Sequence, residues 1–345
     1  MASNAVHTTL TDKDRRGGLT VTIVLTNYNH SRYLRESLGS LFNQTRPADE
    51  YIIIDDASTD DSVAVIRELI GRVQEAKLVQ NPENIGCVAG MNKGLSMAKG
   101  DIVLFAAADD VFYPELLKVG VQLMEAYPQA AIFSARSDLL DAAGLNKGRF
   151  HSPQPLTSPG FLDATTALGH MLRDDSWFMG NTALYRRSAL LAEGKFDEKL
   201  GAFADGYMCR LLALRYGACF APDTLAGWRR LEGGMAWSQA MNTARATDFI
   251  SLVEARMAGT EGLFPAQYIY RWRRRYLFGG RRFALREHSS VHSGPSGCVK
   301  RTFDHLRILW LFLTLRPWDT SVVLQRWILD YWDRRMSTAR ANLSK

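Results

Sequence analysis

Asp109 and Asp110 end the run DIVLFAAADD, in which bulky apolar residues and three alanines lead straight into two adjacent carboxylates. Like charges at contact distance repel, and each loses hydration where it is partly buried. A compensating positive charge is therefore expected, and a divalent cation carrying a phosphorylated ligand is one candidate. Two other apolar runs end in the same way. LTVTIVLTNYN runs out in the polar cluster Thr26–Asn29, and EYIIID runs out in Asp55 and Asp56.

These runs must be strands for the spacing to matter. Each is a short β-rich apolar stretch bounded by polar residues, and each is followed by a segment of helical period. After the first, Leu34, Leu38, Leu41 and Phe42 fall on one helix face, with Ser31 as a capping residue. After the second, Ser58 or Asp60 precedes Val63, Ile66, Leu69 and Ile70. AKLVQNPENIG reads as a third strand and turn, VAGMNKGLSMAKG as a helix stopped by Gly100, and DIVLFAAADD as the fourth strand. Strands alternating with helices of this length imply βαβ units and a parallel sheet. Ligands of such sheets sit beyond the carboxyl ends of the strands, where the three polar strand ends converge on one cleft. Further along, AAIFSARSDLLD reads as a strand, NKGRFHSPQPLTSPG as a loop, and ADGYMCRLLALRYGACFAPD as a helix followed by a strand.

The chain of 345 residues is 46% hydrophobic and 23% charged, the balance of a soluble globular protein rather than a disordered or fibrous one. Its cysteines, Cys87, Cys209, Cys219 and Cys298, form no CxxC pair, which suggests neither a zinc site nor a disulfide framework and fits a reducing compartment. No apolar stretch is long enough to span a bilayer, and ILWLFLTL is bracketed by Arg307 and Arg316. Residues 1–18 read as a disordered leader. The net charge of +6 is uneven: from Phe264 to Lys345 there are 16 Lys and Arg against 5 Asp and Glu. A basic last third on an acidic body suggests an anionic partner. The mixture YRWRRRYLFGGRRF is compatible with nucleic acid, but no nucleic-acid motif accompanies it, and nucleic acid is not the expected partner.

The ordered motifs resemble the family 2 glycosyltransferases, the inverting, nucleotide-sugar-dependent enzymes of GT-A fold. VTIVLTNYNHSRYLRESLGSLFNQT is similar to the family's opening strand and helix, and IIIDDASTDDS to its V-D-D-G-S-T-D element. NIGCVAGMNKGLSMAKGDIVLFAAADD is similar to its glycine-rich helix and D-x-D-D stretch, and YRRSALLAEGKFDEKLGAFADGYMCRLLALRYG to its acceptor-side signature. The resemblance implies an α/β GT-A fold with a Rossmann-like, mostly parallel sheet over residues 19–237. It divides into a nucleotide-binding half (19–115) and an acceptor half (116–237), followed by a basic, aromatic-rich helical region (238–345).

The resemblance also implies roles. Thr26 and Tyr28 line the nucleobase pocket. Asp56 accepts from the base, typically the N3–H of uracil, and Asp55 is scaffold. Gly86 and Asn92 pass close to the nucleotide. Asp109 and Asp110 hold Mn²⁺ or Mg²⁺ against the diphosphate, and Asp205 is the base that deprotonates an acceptor hydroxyl. Arg229 and Arg230 are candidate diphosphate contacts, and Trp177 and Asn181 candidate acceptor contacts. Three positions depart from the family pattern: Ala107 for the first Asp of D-x-D, Met91 for an Arg, and Leu231 for a His. Gly233 and Gly234 suit a lid. The implied activity is transfer of a sugar, most simply from a UDP-sugar, with GDP and dTDP as other donors, to a saccharide or lipid-linked acceptor in polysaccharide or glycoconjugate synthesis. Two other readings stand beside it: a sugar-phosphate nucleotidyltransferase, and a degenerate member acting as a binding module. The C-terminal helices can lie on an anionic membrane surface, pack on the core or form a homodimer. The expected location is the cytoplasm, with the inner face of the cell membrane as one option.

Overall fold

The computed structural model describes residues 18–150, 152–231 and 243–277. Strands β1 (Val21–Asn27), β2 (Glu50–Asp55), β3 (Ala76–Gln80) and β4 (Ile102–Ala107) alternate with helices α1 (Ser31–Phe42), α2 (Ser62–Ile70) and α3 (Cys87–Met97). After β5 (Val111–Phe112) come α4 (Leu116–Ala126), β6 (Ile132–Leu140), β7 (Asn146–Arg149), β8 (Gly160–Leu162) and α5 (Ala164–Arg173). The chain continues through β9 (Leu184–Arg186), α6 (Arg187–Ala192), α7 (Ala204–Tyr216), β10 (Ala218–Arg229) and α8 (Thr243–Ala258). A further helical segment occupies 266–277.

The strand order is β3-β2-β1-β4-β9-β6-β10-β5, with β7 on β6 and β8 on β10. Alternation along the strands sends side chains to two cores, one on each face. Val24, Ile52, Ile54, Val103 and Phe105 join α3, α5 and α7 on one side. Ile23, Leu25, Ile53, Ile102 and Leu104 join α1, α2 and α4 on the other. Burial on both faces is why these strands are continuously apolar. Helix α3 lies close against β1 because Gly94 carries no side chain; a Cβ there would stand 2.2 Å from Val24 Cγ1.

The structure adds two details. The mostly parallel sheet also carries short antiparallel strands. β3, β2, β1 and β4 pair in parallel, as do β6 and β10, but the short β9 runs antiparallel to both β4 and β6. The expected loop at 146–160 begins with β7 and ends at the first residue of β8. All four β7 residues are exposed and held by backbone pairing to β6, so no apolar alternation marks them.

The 243–277 segment packs on the sheet domain. Ile250, Val253, Met257, Phe264, Tyr268 and Trp272 are buried in the same cluster as α3, α5 and α7. In the described part of the arginine-rich stretch, Arg271 and Arg275 donate to the carbonyls of Leu172 and Met171 at the C-terminus of α5, a favourable place for a cation. Arg273 pairs with Glu254. Among the described residues no helix is long and apolar enough to cross a membrane, and Cys87, Cys209 and Cys219 are free thiols. The leader at 1–17, Gly233, Gly234 and the lid, Cys298 and the amphipathic segments beyond 277 lie outside the described residues.

Candidate active site

The carboxyl ends of β1, β2 and β4 lie side by side, in register Thr26↔Ile54 and Thr26↔Ala107. The residues that follow them, Tyr28, Asp56 and Asp109, share one edge of the sheet with the start of α3. Gly86, at φ +89, turns the chain into that helix. Thr26 Oγ1 touches the Cys87 thiol at 3.5 Å. Burial pushes the Cys87 thiol upward, and the charges of Asp205, Asp56 and Asp109 push it further the same way. Three carboxylates distant in sequence therefore act electrostatically on one position.

The roles inside the acidic pairs differ. Asp55 is consumed locally, with Oδ2 accepting from Asn27 Nδ2 (2.8 Å) and Ser58 Oγ (2.7 Å). Asp56 is buried, and its Oδ1 accepts from Asn81 Nδ2 (2.8 Å) and Ile85 N (2.9 Å) while Oδ2 accepts from Gly86 N (2.8 Å). It thus holds the 81–86 loop and keeps acceptor capacity on Oδ2, because an ionised carboxylate offers about four lone-pair sites. Tyr28 stands 45% exposed beside it.

Asp109 is half-buried and Asp110 buried. Burial raises the Asp109 carboxyl, against the lowering influence of His30 and Arg229. Burial and the Asp109 charge raise Asp110 well above the usual carboxylate range. Asp110 Oδ1 accepts from the backbone N of Arg229 at 2.8 Å, and the nearby Asn181 amide offsets part of the rise. Asp110 therefore faces into the fold, leaving Asp109 as the cleft carboxylate of the pair. No cluster of three His, Cys, Asp or Glu side chains suited to a metal occurs among the described residues. Asp109 fits one coordination position of a hard cation: it is an oxygen donor raised by burial beside a second acid. A diphosphate and water would have to supply the other positions.

Asp205 is the second residue of α7 and partly exposed. Its Oδ1 accepts from Gly206 N at 2.6 Å, and a Cβ built on Gly180 would stand 2.8 Å from Oδ2. Burial raises this carboxyl above its ordinary value, partly offset by the Gly206 N–H and the Arg210 charge. A carboxylate anchored on one oxygen, with a raised pKa, is suited to taking a proton from a hydroxyl.

Several expected contacts lie elsewhere. Arg229 is buried, and its guanidinium is used by the Asp109 carbonyl (2.7 Å), the Asp141 carbonyl (3.2 Å) and Glu36 (2.5 Å), beneath the Tyr33 ring. It is a strut under the acidic pair and presents no free fork for a diphosphate. Arg230 is exposed, with its backbone N bound to Leu140 O. Trp177 is 1% exposed and stacked on Phe178 at 3.7 Å, so it is core and unavailable to stack on an acceptor sugar. Asn181 is buried and donates to Ser137 Oγ at 3.1 Å. Asn92 clips α3 to the next layer through the Phe196 carbonyl (2.9 Å) and N–H (3.1 Å). It borders an open groove of about 1190 Å³ whose lining includes Lys195, Arg256 and Leu263 and none of the three carboxylates. Sequence reasoning passed over Cys87 and Gly180. Cys87 follows the Gly86 turn directly, a usable signal; Gly180 has no sequence mark at all.

Residues 22–190 match the model of Glycosyl transferase family 2. That segment, just under half of the chain, carries the sequence pattern of the family. An uncharacterised glycosyltransferase of Haemophilus influenzae is 35% identical over 104 residues, 30% of this chain and 42% of that protein. The chain spans a third to just over half the length of the first curated relatives it matches. Among solved structures, S. aureus TarS 1-349 in complex with UDP-GlcNAc aligns with TM-score 0.61 and 17% identity, over 82% of this chain and 78% of that one. The mannosyltransferase PcManGT from Pyrobaculum calidifontis, solved with GDP-Man and Mn2+, aligns with TM-score 0.56 and 21% identity, over 92% and 88%. The fold is GT-A.

Proposed function

We propose that the chain transfers a sugar from a nucleotide-sugar, in the first instance a UDP-sugar, to an acceptor hydroxyl with inversion at the anomeric carbon. The observation that supports the reading is the shared carboxyl edge of β1, β2 and β4, followed by Asp56 and Asp109, together with the electrostatic influence of Asp56, Asp109 and Asp205 on the one thiol of Cys87. The ligands named for the two structural neighbours, UDP-GlcNAc and GDP-Man with Mn2+, are of the class such a cleft would take.

In this reading the base lies beside Tyr28, and Asp56 Oδ2 accepts its imide N–H. Thr26 and the Gly86 turn border the nucleoside, and Arg230 lies on the diphosphate side. Asp109 contributes a ligand to a divalent cation, which supplies neutralisation of charge on the departing diphosphate. Asp205 takes the proton of the acceptor hydroxyl as it attacks from the face opposite the diphosphate. One displacement requires no enzyme nucleophile and inverts the centre. Raised carboxyl pKa values at Asp109 and Asp205 mark a site that stores unfavourable charge until cation and substrate arrive. The acceptor is a saccharide or lipid-linked saccharide, of the kind used in polysaccharide or glycoconjugate assembly.

Nucleotide release from a panel of sugar nucleotides, with and without Mn²⁺, tests the activity. Asp205→Asn should keep the rise in melting temperature caused by UDP and Mn²⁺ while losing turnover. Full turnover in that variant would require another base, and release of pyrophosphate in place of a nucleoside diphosphate would overturn the reaction class.

A further inference from the structure

Helix α7 carries Asp205 at its second position and Arg210 one and a half turns later. Arg210 is buried, and its whole guanidinium is engaged. Nε donates to Asp175 Oδ2 (2.8 Å), Nη2 to the Asp175 carbonyl (3.1 Å) and to Tyr276 Oη (2.9 Å), and Nη1 to the Gly206 carbonyl (2.6 Å). Gly206 is the residue whose N–H holds Asp205 Oδ1. Asp175 in turn accepts from Tyr268 Oη at 2.7 Å and lies 3.4 Å from Arg275 Nη2.

Tyr268, Arg275 and Tyr276 all come from the 266–277 helix, which also presses aromatic rings on the start of α7. Phe203, the residue before that helix, meets Trp272 at 6.2 Å and Tyr276 at 5.5 Å. Asp175 begins the short segment that ends in Gly180 and Asn181, the residues against Asp205 and Asp110. The buried ion pair thus connects the 266–277 helix to both sides of the carboxylate.

A buried Arg–Asp pair is an uncertain source of stability, because desolvation cancels much of its attraction. Its geometric effect is firmer: a guanidinium that donates from all three nitrogens to fixed partners holds the elements that carry it. We propose that Arg210, held by Asp175, Tyr268 and Tyr276, is a positioning residue that sets the placement of the Asp205 carboxylate, so that docking of the 266–277 helix completes the active site from outside the family-matched segment. This rests on Asp205 being the base. Arg210 touches no substrate; it acts through Gly206 and through the Asp175–Gly180 segment.

The test uses the full chain and a donor the unmodified chain turns over, reading kcat, donor KM and the melting shift with UDP and Mn²⁺. Tyr268→Phe removes one hydroxyl from the network and should lower kcat about 10-fold with donor KM within about twofold, because misplacing a reacting group is costly while the nucleotide contacts lie elsewhere. Arg210→Met combined with Asp175→Asn removes both charges of this pair, with Arg275 still donating to the Met171 carbonyl, and should lower kcat by about 30-fold or more with the UDP shift intact. Arg210→Lys keeps the charge without the fork and should fall between the double variant and the unmodified chain. Unchanged kcat in a folded double variant would overturn the proposal. If the double variant does not fold, unchanged kcat in Tyr268→Phe would overturn it. Asp205→Asn separates the two ideas: if it still turns over, the base assignment fails. If it is dead while the network variants are fully active, only the positioning role fails.

Discussion

Gly180→Ala tests the placement of Asp205, the proposed base, with a single methyl group. The Cβ would stand 2.8 Å from Asp205 Oδ2, whereas ordinary contact begins at about 3.4 Å. Something must therefore move by about 0.6 Å. The backbone of Gly180 is not left-handed, so the substitution adds no φ strain. The carboxylate cannot pivot freely, because Oδ1 is tied to Gly206 N at 2.6 Å. A displacement of about 1 Å at a reacting group can cost about 100-fold, so 0.6 Å should lower kcat roughly 10- to 30-fold, or about 1.4–2 kcal/mol in the barrier. Donor KM should hardly change, since Asp56 and the 81–86 loop are untouched. Gly169→Ala is the matched control. It lies inside α5 with nothing within 4 Å of its would-be Cβ. It should leave kcat alone and add up to about 1 kcal/mol of stability through helix propensity. The assay is steady-state nucleotide release, with thermal melts to confirm folding. A folded Gly180→Ala enzyme with undiminished kcat would refute the claim that Asp205 acts from this position.

Other expectations follow from the same contacts. Asp56→Ala strands Asn81 Nδ2 and the N–H groups of Ile85 and Gly86; unfolding titrations should show a loss of about 2–4 kcal/mol and isothermal titration a loss of UDP binding. Asp109→Asn removes the like charge beside Asp110, so the metal-free melting temperature should hold or rise while the extra shift from Mn²⁺ with UDP disappears. Trp177→Ala opens the core against Phe178 and Phe220 and should cost about 3–5 kcal/mol in denaturant melts; a stable variant impaired only in acceptor KM would return Trp177 to the acceptor site. Burial pushes Asp175 upward, but the Arg210 and Arg275 charges outweigh it and hold the carboxyl at about 2. A depressed folded pKa gives stability that is present above the unfolded value and lost as pH falls. On the order of 2 kcal/mol should therefore vanish between about pH 4 and pH 2, a slope that Asp175→Asn should flatten in denaturant titrations.

The sequence by itself determined the strand–helix alternation of the first hundred residues, because strand and helix periods are local. Leu34, Leu38 and Leu41 share a buried face three and four residues apart, and continuous apolar runs mark strands covered on both sides. It also determined which carboxylates end strands. It could not mark β7, whose four residues are all exposed and show no apolar alternation, nor the reversal at β9, three residues long. Tertiary structure decided which polar groups remain available for chemistry. Arg229 reads as a cation beside a flexible segment, yet the Asp109 carbonyl and Glu36, 120 and 193 residues away, take up its guanidinium. Asn92 is spent on Phe196, 104 residues on, and Trp177 on a core it cannot leave. Residue type and spacing set what a side chain can do, but hydrogen-bond saturation and burial depend on partners that only the fold brings together. That is why the acids could be read from the chain, while the arginines, the tryptophan and the brace on α7 could not.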